Sequence, residues 1–173
     1  PASTTKVLTA AAAMLALPAD HRVTTRVVRG NGEGNIVLIA GGDPTLTALP
    51  VGTDGFYPGA ARIDDLVEQI RRSGTVVRSI GVDTSIYSGD TMAQGWFPAD
   101  IAAGSITPIE PIMLDGGRSD PLVDESPRST TPALDAGRAL AAGLGVDPAA
   151  VTTGKATDGA DQIASVESAP LRN

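Results

Sequence analysis

The run from Val7 to Leu17 is almost wholly apolar, rich in strong helix formers and closed by Pro18. It leaves little choice but a helix that is hydrophobic on every side, and a helix of that kind demands burial. It is too short to cross a bilayer, which takes roughly 20 apolar residues, so the sequence predicts a helix enclosed by protein. At its entrance stand Ser3 and Lys6, and the i, i+3 spacing sets them about one turn apart on one face.

Ser3 admits two readings. Serine is a favoured N-cap, where its hydroxyl satisfies a free amide of the first turn. Lys6 fits that reading less well, because a cation in the first turn opposes the helix dipole and a capping serine prefers Glu or Gln three residues on. That field, with burial against an apolar helix, favours a neutral amine. A neutral amine one turn from a hydroxyl is able to take its proton and make Ser3 a nucleophile. Ser-x-x-Lys is a short pattern, and its setting and companions decide its weight.

The rest of the composition narrows the options. A content of 42% hydrophobic residues supplies a core, and only 3% are aromatic, so that core is aliphatic. The net charge is -7 and no basic cluster exceeds Arg71-Arg72, which argues against a nucleic-acid partner. Cysteine is absent, which excludes disulfides and thiolate chemistry and leaves the compartment open. A candidate nucleophile at the third position reads as part of a longer chain.

Further on, His21 is the sole histidine; a Ser-His-Asp triad would have to use it, and a solvated loop histidine is the default. Arg22 to Arg29 alternates as a half-buried strand, with a turn at Gly30 to Gly34 and a buried strand over Asn35 to Ala40, together a hairpin. Gly41 to Thr47 is a loop in which Asp43 is either a turn residue or a substrate carboxylate. Ile63, Leu66, Val67 and Ile70 recur at helical spacing, with acids early, arginines late and Gly74 beyond. One or two strands follow over Thr75 to Ile86, then a proline-punctuated stretch to Pro132 in which Trp96 is expected to anchor a loop to the core. A second helix is predicted over Ala133 to Gly145, with strands near Val151 to Thr153 and Ile163 to Val166.

Six blocks now stand in order: Pro1-Ala2-Ser3-Thr4-Thr5-Lys6-Val7, Arg22-Val23-Thr24-Thr25, Gly42-Asp43-Pro44-Thr45-Leu46, Val82-Asp83-Thr84-Ser85-Ile86, Gly95-Trp96 and Ser168-Ala169-Pro170-Leu171. In this the chain resembles the low-molecular-mass, class C penicillin-binding proteins of the D-alanyl-D-alanine carboxypeptidase/endopeptidase family, peptidase family S13. The resemblance implies a nucleophile at Ser3, a general base at Lys6 and a substrate-binding carboxylate at Asp43 that holds the free amino end of a diaminopimelate side chain. It implies peptidoglycan stem peptides and β-lactam antibiotics as partners, an extracytoplasmic location (periplasmic or cell-wall associated), and no metal or organic cofactor. The family's Ser-x-Asn and Lys-Thr-Gly elements are missing: Ser119-Asp120-Pro121 has proline in the last place, and Thr153-Gly154-Lys155 has the wrong order.

The expectation is therefore an α+β fold in which residues 1–20 are the nucleophile-helix piece of an incomplete transpeptidase-like domain. Residues 21–166 are then inserted α+β material, and 167–173 return toward the catalytic domain. The function expected is a serine-type D-Ala-D-Ala carboxypeptidase/endopeptidase working through an acyl-enzyme. The alternatives are a non-catalytic cell-wall binding or scaffolding module that retains the helix, and a β-lactamase.

Overall fold

Thr25, Val27 and Val28 point inward along β1 (Thr24–Arg29) while Arg26 and Arg29 stay exposed, and the buried run of β2 (Asn35–Ile39) pairs antiparallel to it with Arg26 opposite Ile39. This is the hairpin expected from the alternation of apolar and polar residues. A computed structural model describes residues 3–172. Pro1, Ala2 and Asn173, at the ends of the first and last expected segments, lie outside the described residues.

The hairpin is the centre of a five-stranded mixed sheet in the order β6-β4-β2-β1-β7. Strand β4 (Ser79–Asp83) runs parallel to β2, and β6 (Val151–Thr153) parallel to β4; β7 (Gln162–Glu167) lies antiparallel to β1 at the other edge. Parallel neighbours need crossovers, and helices supply them: α2 (Ile63–Arg72) between β2 and β4, α4 (Pro132–Leu144) between β4 and β6. A short helix, α3 (Ala99–Ala102), and a 3-10 turn at Asp115–Gly117 break up the stretch between β4 and α4. The α+β expectation thus holds as a mixed α/β body with a mixed sheet.

The core is aliphatic, as the composition requires. Ile63, Leu66, Val67 and Ile70 of α2 and Ala133, Ala136, Leu140 and Ala141 of α4 pack with Ile36, Leu38, Ile80 and Val82 of the sheet. Helix α4 comes unusually close to the strands, since a Cβ on Gly137 would stand 2.6 Å from Val82 Cγ2 and 2.7 Å from Val151 Cγ1. It ends at Gly145, whose φ of 74° is the left-handed cap that glycine adopts without strain.

Two expectations change. Asp43–Leu46, expected as a loop, is a short strand, β3, parallel to β5 (Ile112–Leu114); its partner lies 66 positions or more away, beyond the reach of local pattern. Helix α1 (Thr4–Ala16) forms, but none of its residues is buried and Leu15 is 89% exposed. The enclosing protein that the apolar run calls for is not supplied by the described residues. Propensity and the stop before Pro18 are local properties, whereas burial needs a partner surface.

Gly137→Ala should destabilise the fold by about 1–3 kcal/mol through overpacking against Val82 and Val151, despite alanine's better helix propensity. Urea denaturation checks this; an unchanged or raised midpoint would mean that α4 moves off the sheet freely.

Candidate functional site

Ser3 stands at the N-cap position of α1, with no capping bond from its side chain, and its carbonyl accepts the Lys6 backbone N–H at 3.0 Å. Both residues are exposed. The structure therefore keeps them one turn apart on the helix, but no hydrogen bond joins the Ser3 hydroxyl to the Lys6 amine among the described residues. The apolar surroundings expected for Lys6 are likewise not provided by them.

Asp43 is elsewhere, inside the body and only 1% exposed. Its Oδ1 accepts the Thr45 N–H at 2.8 Å and the Thr45 hydroxyl at 2.6 Å, the bonds of a turn-forming aspartate, while its Oδ2 is buried without a partner among the described residues. Trp96 departs from expectation: at 39% exposure it is no core anchor, and it sits in a turn in which its N–H donates to the Ala93 carbonyl. His21 lies in the connection after α1, as expected, and its carbonyl accepts the Leu171 N–H.

The Ser168-Ala169-Pro170-Leu171 block has a structural use. Ser168 is buried; its hydroxyl accepts the Val23 N–H at 2.9 Å and donates to the Ala169 carbonyl at 2.8 Å, and its own carbonyl accepts from Arg22 at 2.7 Å. The chain thus enters and leaves the sheet at one place.

Two buried aspartates escaped the sequence reading as chemistry. Asp83, at the end of β4, accepts the Ser85 N–H on Oδ1 at 2.9 Å and the Ala156 N–H on Oδ2 at 2.8 Å. Burial pushes its carboxyl up, but these amides and nearby Lys155 outweigh it and hold the carboxyl below its ordinary value. Lys155, from the reversed Thr-Gly-Lys order, thereby gains a place beside a carboxylate. Asp115 follows β5, and the parallel pairing of Leu46 with Leu114 sets it beside Thr47, whose hydroxyl donates to its Oδ2 at 3.1 Å. It is 4% exposed, and burial pushes its carboxyl up despite Thr47, Arg118 and Arg62. Its φ of 50° is left-handed, rare outside glycine. Gly116 follows because a Cβ there would stand 2.5 Å from the Tyr57 hydroxyl. Arg118 donates to that hydroxyl at 3.0 Å and to the Asp115 carbonyl at 2.8 Å, with its guanidinium over the Phe56 ring. The only advance signal was Asp-Gly-Gly, which marks a turn without revealing burial.

Comparison with known proteins decides the family. Residues 1–128 match the model of the D-Ala-D-Ala carboxypeptidase 3 (S13) family. The chain belongs to that family. It is 60% identical over 173 residues to Carboxypeptidase Rv3627c of Mycobacterium tuberculosis, covering 99% of this chain and 38% of the relative. It is 57% identical to Carboxypeptidase DacB of Mycolicibacterium smegmatis with the same coverage. This S13 chain thus spans 38% of the length of these curated relatives. It is also similar to the crystal structure of penicillin binding protein 4 (dacB) from Haemophilus influenzae, at 26% identity and a TM-score of 0.53, covering 68% of this chain and 25% of that one.

The two aspartates should respond oppositely to pH. The stability that Asp83 contributes exists above its unfolded pKa, near 3.9, and is lost as pH falls through its lower folded value. Asp83→Asn should therefore cost about 1–3 kcal/mol at neutral pH, and less on acidification. The contribution of Asp115 is complete below its unfolded pKa and lost as pH rises through its higher folded value, so the wild type should gain on Asp115→Asn as pH falls. Denaturant titrations at neutral and acidic pH check both; parallel stability curves for either pair would contradict the assignment.

Proposed function

We propose that this S13 chain is part of a serine-type D-Ala-D-Ala carboxypeptidase/endopeptidase that acts on peptidoglycan stem peptides through an acyl-enzyme and binds β-lactams. The observation that carries the reading is Ser3 at the mouth of α1 with Lys6 one turn on, in a chain 60% identical to a protein named carboxypeptidase. The substrate class favours an extracytoplasmic location. We further propose that residues 21–166 are an insertion, a reading supported by the adjacent entry and exit of the chain at Val23 and Ser168. Helix α1 and residues 167–173 then belong with a transpeptidase-like catalytic domain, whose Ser-x-Asn and Lys-Thr-Gly elements would come from sequence other than these residues.

In this reading the Lys6 amine takes the Ser3 hydroxyl proton as Oγ attacks the carbonyl carbon between the two D-alanines. The peptide C–N bond breaks, the proton passes to the departing D-alanine amine, and water hydrolyses the ester to restore Ser3. A guanidinium keeps its proton at all accessible pH values, so arginine at position 6 is unable to serve. Asp43 enters as the carboxylate for a free amino end of the substrate, a role favoured by its Oδ2, which has no partner among the described residues, and one that requires the buried side chain to become accessible. A second reading, a non-catalytic cell-wall binding or scaffolding module, is favoured by one observation: Ser3 and Lys6 are exposed, and among the described residues no hydrogen bond joins the Ser3 hydroxyl to the Lys6 amine.

Incubating the full-length gene product with penicillin should give a covalent adduct that mass spectrometry maps to Ser3. An adduct on another serine refutes the assignment, and no adduct favours the non-catalytic module. Lys6→Arg, folded by circular dichroism, should slow acylation by about 10² to 10⁴; near-wild-type acylation excludes Lys6 as base. Asp43→Asn should raise KM for a peptide with a free side-chain amine more than for its N-acetylated form, and equal changes would remove Asp43 from substrate binding.

A further inference from the structure

Where β3 and β5 end side by side, the chain forms a cleft of about 430 Å³, within the roughly 300–1,000 Å³ range of small-molecule sites. Thr47, Thr53, Asp54, Tyr57, Arg62 and Asp115 line it, and none of them is used by the serine chemistry above. Asp115 supplies the observation that points to a ligand. The residue is 4% exposed and its Oδ2 is taken by Thr47, but Oδ1 receives no hydrogen bond from the described residues. That oxygen lies beside Gly55, where a Cβ would stand 3.6 Å away. With Thr47 on one oxygen of a residue otherwise buried, the other keeps its acceptor capacity for whatever fills the cleft. Arg62 in the same wall is also incompletely paired: it donates to the Leu49 carbonyl, while its Nε is buried without an acceptor among the described residues. The Tyr57 hydroxyl accepts from Arg118, which leaves its proton free to donate.

Charge selects the ligand. Arg62 lines the cleft and Arg118 is bonded to the Asp115 carbonyl and the Tyr57 hydroxyl at its edge, so an ammonium group entering here would meet two guanidinium cations. An anion would meet Asp54 and Asp115 together. A neutral ligand whose groups both donate and accept matches the wall, and sugar hydroxyls have that property. We propose that this cleft is a saccharide-binding site, in which ligand hydroxyls donate to Asp115 Oδ1 and accept from the Tyr57 phenol. It is a second site, independent of Ser3, and its test involves no turnover.

The disaccharide of N-acetylglucosamine is the probe, titrated into isotope-labelled protein while backbone amide shifts are followed. Saturable shifts at Gly55, Asp115 and Gly116 are expected. Asp115→Asn, which turns an acceptor into a donor, should weaken binding by about tenfold or more, and Tyr57→Phe should weaken it less, with both folds checked by circular dichroism. Should Asp115→Asn fail to fold, Tyr57→Phe decides. The proposal is overturned if the sugar gives no saturable shift up to its solubility limit, if affinity is unchanged in every folded variant, or if 1,5-diaminopentane or acetate occupies the cleft in preference to the sugar.

Discussion

The aliphatic face shared by the sheet and helices α2 and α4 is the contact on which the rest of the body depends. With so few aromatic residues, the core fills its volume with Ile, Leu, Val and Ala, and the helices must come close to leave no voids. Gly137 lets α4 touch Val82 and Val151, and Gly143 lets it touch Val67 of α2. This three-way packing fixes both parallel crossovers, and with them the positions of the loops at the strand ends.

Those loops carry the polar groups of interest. Asp83, at the end of β4, is held by two backbone amides; Asp115, just after β5, receives one hydrogen bond on its carboxylate among the described residues, from Thr47. The contrast explains why the two carboxyls shift in opposite directions although both are buried, since hydrogen bonds to the charged form compete with desolvation and win only where enough of them converge. Helix α1 stands apart from this economy. Its sequence is that of a core helix, yet the described residues leave it exposed, so the Ser3 and Lys6 pair has local geometry without an environment. The clamp of Ser168 on Arg22 and Val23 ties the departing chain to the entering one next to the end of that helix.

Much of the fold was legible from periodicity. Ile63, Leu66, Val67 and Ile70 form the buried stripe of α2 as their spacing foretold, and the β1–β2 hairpin followed from alternation and its glycine turn. What was not legible depended on distant pairing or on an absent neighbour. Nothing near Asp43 announced that Ile112 would pair with it, and nothing in Gly95-Trp96 announced that the indole would face outward. Of the site, Ser3 and Lys6 were found because Ser-x-x-Lys is a local pattern on one helix face. Thr47 and Tyr57 lie far along the chain from Asp115 and Arg118, and the two pairs became neighbours only through the β3–β5 pairing.

The sequence by itself therefore determined helices α1, α2 and α4, the hairpin, the aliphatic character of the core and the one-turn spacing of Ser3 and Lys6, because each depends on propensity, periodicity or composition within a short window. Only the tertiary structure decided the strand order, the burial of Asp43, Asp83 and Asp115, the clamp between Ser168 and Val23, and the exposure of α1. Desolvation, hydrogen-bond satisfaction and packing belong to surfaces brought together from distant parts of the chain, and no local pattern encodes which surfaces will meet.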